Sequence, residues 1–105
     1  MTYQTDDRAR MRRQLADQAI KLAMESRWDE AAQINRQVLA IDPRNVDAYN
    51  RLGKALTELG RYGEARASYS RTLELDAANS IAKKNLSRLL AIGDVVAPAE
   101  GRQNV

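Results

Sequence analysis

Apolar residues recur every three or four positions through most of the chain, and short polar stretches interrupt them. Leu15 and Leu22 begin the series, Tyr49, Leu52 and Leu56 continue it, then Tyr69 and Leu73, then Ala82, Leu86 and Leu90. This is the period of an amphipathic helix; a half-buried strand would alternate. Ala, Leu, Arg and Glu, all good helix formers, fill the segments, while β-branched residues are too scattered to build a sheet.

The interruptions set the boundaries. In Asp42-Pro43-Arg44-Asn45 a proline stops one helix and Asn45 offers an oxygen to the free amides of the next. Asp76-Ala77-Ala78-Asn79 repeats the arrangement with Asn79 as the cap. Gly60 stands where a left-handed residue would end a helix and let the chain reverse. Ser26 holds the corresponding earlier place and suits positive φ less well. These signals predict helices over 7–25, 29–41, 46–59, 63–75 and 80–92. The class is all-α, with five antiparallel helices, and 93–105 reads as a flexible tail or linker.

Displaced by 34 residues, the chain falls on itself without a gap. Leu22 meets Leu56, Arg27 meets Arg61, Trp28 meets Tyr62, Ala31 meets Ala65, Leu39 meets Leu73 and Asn45 meets Asn79. Each unit holds two helices too short to be stable alone in water, so stacking must bury their apolar faces.

In the second unit Tyr49, Leu52-Gly53, Leu56, Ala65 and Tyr69 stand at the spacing of an aromatic, Leu-Gly, a large apolar residue, Ala and an aromatic. This resembles the tetratricopeptide repeat family. The first unit matches less closely, with Leu15, Gln18-Ala19, Leu22, Ala31 and Asn35, but keeps Pro43. The resemblance implies a right-handed α–α superhelix: a repeat over 12–45, a second over 46–79 and a closing half repeat over 80–92. Residues 1–11 form an extension merging into the first helix. Small Gly53 and Ala65 would let paired helices approach closely. Leu52, Leu56, Tyr69 and Leu73 would fill the space between, and Trp28 and Tyr62 would pack on the neighbouring pair. Leu86 and Leu90 would complete the core from the last helix, leaving Leu89 and Ile92 exposed for self-association.

Members of the family bind partner peptides in a concave groove lined by the first helix of each pair. On this chain the implied groove residues are Arg13, Asn50, Arg51, Lys54, Lys84, Asn85 and Arg88, beside Ala16, Asp17, Ile20 and Ile81. A basic, amide-bearing strip of this kind suits a carboxylate or a peptide backbone. One subgroup clamps the terminal carboxylate of chaperones with Lys and Asn, then Asn, then Lys and Arg on successive groove helices. Ala16 and Ile20, Arg51, and Ile81 and Asn85 hold those places here, so that ligand is not expected.

Composition narrows the chemistry. The chain has 105 residues, no Cys and no His, which removes thiolate chemistry, the commonest general base and the commonest metal ligands. No phosphate loop, nucleophile elbow or dinucleotide motif occurs, so neither catalysis, a cofactor nor a metal is expected. A net charge of +3 permits an acidic partner without requiring one. Arg8, Arg10, Arg12 and Arg13 could touch phosphates, but Asp6, Asp7 and Asp17 lie among them and nucleic-acid binding is the weakest reading. With no apolar run of membrane length and a polar start, cytoplasmic residence is the default. The expected role is a non-enzymatic adaptor or scaffold that binds a protein or peptide, with homo-oligomerisation through the last helix as the alternative.

Overall fold

The computed structural model describes the backbone of residues 2–101 and the side chains of residues 7–92. Five helices occur there: α1 Thr2–Met24, α2 Trp28–Ile41, α3 Val46–Glu58, α4 Tyr62–Leu75 and α5 Ser80–Gly101. Sequential helices pack against each other, and α1 also touches α3.

The repeated boundary signals recur as repeated bonds. Asn45 Oδ1 accepts the amide of Ala48 at 2.9 Å, and Asn79 Oδ1 accepts that of Ala82 at 2.9 Å. Each cap is steadied from behind, since Asn45 donates to Asp42 and Asn79 donates to Asp76, both at 3.1 Å. The starts of α2 and α4 have no side-chain cap. There Arg27 grips Glu30 and Arg61 grips Glu64 through paired guanidinium bonds of 2.7–2.9 Å. Both carboxyls are held below their usual range by these bonds. Exposed pairs of this kind add little stability, but they close the same turn in each copy.

At the two hairpin turns the Arg27 amide reaches back to the Leu22 carbonyl at 2.9 Å, and the Arg61 amide to the Leu56 carbonyl at 2.8 Å. The geometry requires a left-handed residue between them, supplied by Gly60 at φ 78° and by Ser26 at φ 58°. That conformation costs a residue with a side chain about 1–2 kcal/mol. Ser26→Gly is therefore expected to raise unfolding free energy by up to about 1 kcal/mol, read from urea denaturation. A loss of stability would contradict the strain.

One core runs through the stack. Leu22 of α1, Ala31 and Ala32 of α2, Leu52, Ala55 and Leu56 of α3, Ala65 and Tyr69 of α4, and Ala82 and Leu89 of α5 form a single buried cluster. Trp28, Leu39, Tyr62, Leu73 and Leu86 pack on it, partly buried. Gly53 is small for a direct reason: a Cβ there would stand 2.7 Å from the Tyr69 ring.

Four expectations change. Leu89 is 1% exposed and Leu90 51% exposed, the reverse of the assignment made from spacing. The 34-residue displacement sets Leu90 on Leu56, on the side of α3 that carries Gly53 and meets α4. No described helix follows α5 to cover that side, whereas Leu89 takes the place of buried Ala55 against the preceding pair. Self-association through Leu89 is accordingly removed. Pro43 is exposed in its turn and is not part of the core. Third, α1 starts at Thr2 and not near residue 7, so Asp7 stands inside the helix, where it pairs with Arg10 at 3.4 Å. Finally, α5 continues past Gly93 to Gly101. Residues 102–105 of the expected tail lie outside the described residues.

Candidate functional site

The odd-numbered helices share one face, and two recesses open on it. The first, about 150 Å³, lies between α1 and α3 and is lined by Arg12, Arg13, Ala16, Asn45, Asp47 and Arg51. The second, about 280 Å³ and mostly apolar, is lined by Ala23, Asn50, Arg51, Lys54, Tyr69, Ile81 and Asn85. Arg51 borders both, at the centre of the face.

The residues expected to form a basic strip differ in how free they are. Asn50 is nearly buried; its Oδ1 accepts from Thr72 Oγ1 at 3.0 Å and its Nδ2 donates to Asn79 Oδ1 at 3.1 Å. It joins α3 to α4 and to the cap of α5, so its main task is internal, although one edge reaches the recess. Lys54 donates to Glu58 at 2.9 Å and lies 5.8 Å over the Trp28 ring, which engages its charge locally. Asn85 donates to the Ile81 carbonyl at 2.9 Å and accepts from Arg88 at 3.2 Å. Among the described residues Arg13, Lys84 and Arg88 form no ion pair. Lys84 and Arg88 stand on α5 beside the second recess without lining it.

Arg51 is half-buried, and burial pulls its pKa below the usual arginine value against the opposing influence of Asp47 and Asp17. Its Nε donates to Asn35 Oδ1 at 2.9 Å. Asn35 is the residue that spacing alone undervalued. The displacement aligns it with Tyr69, where the pattern asks for an aromatic, and that mismatch was the available signal. Buried in α2, it donates to the Ala31 carbonyl at 3.0 Å and presents its oxygen to Arg51. Tyr69 was legible as core, but its place in the recess wall was not. Burial, with Glu58 adding and Arg88 opposing, pushes its pKa up to about 12, so the hydroxyl is a neutral donor at physiological pH.

Other surfaces are less available. A recess of about 310 Å³ between α1 and α2 is lined in part by Glu25, Arg27 and Glu30, of which Arg27 already binds both carboxylates. At the N-terminal arginines, Arg10 pairs with Asp7 and Arg12 with Asp42, both at 3.4 Å. No group of acidic residues that could hold a metal occurs among the described residues, and no described helix is long and apolar enough to cross a membrane.

Comparison with known proteins agrees with this architecture. The chain is 42% identical over 59 residues to small glutamine-rich tetratricopeptide repeat-containing protein 2 of Mycosarcoma maydis, covering 56% of the chain and 17% of that protein. It is 36% identical over 63 residues to heat shock protein STI1 of Saccharomyces cerevisiae, covering 60% of the chain and 11% of that protein. The chain thus spans less than a fifth of these relatives. Among solved structures, the Arabidopsis OM64 TPR domain superposes with a TM-score of 0.71 at 32% identity, over 73% of the chain and 64% of that domain. The second TPR domain of human RPAP3, in complex with an HSP70 peptide, gives 0.69 at 28% identity, over 71% of the chain and 62% of that domain. The tetratricopeptide repeat family model matches residues 22–90, and the chain belongs to that family.

Proposed function

We propose that the face shared by α1, α3 and α5 binds a segment of a partner protein and that the chain serves as a non-catalytic adaptor or scaffold. One observation carries this reading. The face keeps large apolar side chains in solvent, with Ile20 43% and Ile81 56% exposed, beside cations that form no ion pair with a described residue. Apolar residues rimmed by polar and charged ones mark contact surfaces. The peptide complex of the RPAP3 domain supports a peptide as the class of partner. Its ligand, SGPTIEEVD, is acidic, which agrees with the sign of Lys84, Arg88 and Arg13.

The test uses α5, because Lys54 is already engaged by Glu58. Exchange of Lys84 and Arg88 together for Glu is expected to abolish capture of partners from native extract. The melting temperature should move by less than about 3 °C, since exposed charges contribute little to stability. Undiminished capture by the double variant would refute the groove.

A further inference from the structure

Arg51 differs from the other cations of this face in being aimed. Its Nε–H is taken by Asn35, which is locked into α2 by its own bond to Ala31. A guanidinium carries five donors in a fixed fork; the terminal nitrogens of Arg51 make no hydrogen bond or ion pair with any described residue. Asp17 and Asp47 are near enough to act on its charge but do not pair with it. The flank towards α1 is therefore balanced. Among the described residues the flank towards α5 is not, since Arg88 has there only an amide partner, Lys84 has none and Glu58 is engaged by Lys54.

The recess on that flank is an apolar pit. Ala23, Tyr69 and Ile81 line it, and the Tyr69 hydroxyl bonds to no described residue. At about 280 Å³ it is just below the usual size of a small-molecule site and suits a single large side chain.

We propose that the cleft between α3 and α5 takes an internal peptide segment whose acidic side chain meets Arg51 while a neighbouring large apolar side chain enters the pit of Ala23, Tyr69 and Ile81. The inference rests on the groove reading above and deepens it. A carboxylate is selected because the free edge of the guanidinium matches two oxygens at once. An internal position is selected because a chain terminus needs several converging donors, and the other donors of the second recess, Asn50, Lys54 and Asn85, already donate to Asn79, Glu58 and the Ile81 carbonyl. Recesses on both sides of Arg51 also let an extended chain run through.

The experiment selects random peptides of about twelve residues against the full chain. One pool is displayed as closed loops and a parallel pool carries free C-termini. Loop binders are expected to share an acidic residue within two positions of Leu, Ile, Met or Phe. In fluorescence anisotropy, Arg51→Gln should weaken them at least about tenfold, the scale of a lost bond to a charged group. Ile81→Ser should weaken them by a similar factor, and Arg51→Lys should recover only part of the loss. Replacing the peptide's acid by its amide should remove the difference between wild type and Arg51→Gln. Binders that depend on Lys84 and Arg88 yet lack the acidic–apolar pair, or that tolerate Arg51→Gln, overturn this inference and leave the groove intact. Binders from the free-terminus pool alone overturn it in favour of a terminal carboxylate. No binders, or binders indifferent to all four positions, overturn the groove as well.

Discussion

Truncation of Tyr69 to Ala is expected to lower unfolding free energy by about 3–5 kcal/mol, the range for a buried aromatic. A domain of this size commands roughly 5–15 kcal/mol in all, so the variant should melt near working temperature. The ring is 2% exposed and is the largest fully buried side chain among the described residues. It lies against Gly53 in α3 while belonging to α4, so its removal empties the contact within a repeat and the wall of the second recess together. Tyr69→Phe provides the contrast: the hydroxyl bonds to no described residue, so its loss should change stability by less than about 0.5 kcal/mol. Gly53 supplies the coupling. With Tyr69 present, a methyl at Gly53 collides with the ring at 2.7 Å; with Ala at 69 it should recover up to about 1 kcal/mol of helix propensity. Circular dichroism across urea would measure all three, and a cost below about 1 kcal/mol for Tyr69→Ala would show that the ring does not join α3 to α4.

Leu89→Ala is expected to cost about 2–5 kcal/mol, while Leu90→Ala, one residue along, should fall within about 0.5 kcal/mol of wild type. Their exposures of 1% and 51% dictate the asymmetry. Ala82, Leu86 and Leu89 form the stripe that α5 lays on the pair before it. Comparable losses at both positions would mean that α5 is rotated about its axis and shares its burial between the two leucines.

That pair of leucines also shows where reading the chain succeeds and where it stops. Helix number, caps at Asn45 and Asn79, the left-handed turns and the small-residue contact at Gly53 were all legible, because each depends on local chemistry repeated at one interval. Leu90 was misplaced because the interval carries over the spacing of Leu56 but not the neighbour that buries it. The face proposed to bind a partner was legible as a set of helix positions and much less as chemistry. Lys54 and Asn50 carry the right side chains, yet Glu58, Thr72 and Asn79 already use them. Asn35 looked like a weak match to the family and proves to orient Arg51. Partner choice among side chains on adjacent helices is a property of packing, which no single-chain pattern records.

Asn50 links Thr72 of α4 to Asn79 at the start of α5. Because the amide that starts the last helix leans on a carboxamide from the middle one, the end of the stack cannot fray without loosening its centre. A segment lodged beside Ile81 and Asn85 would therefore act as a latch on the whole array, suppressing the opening that peels its last element away.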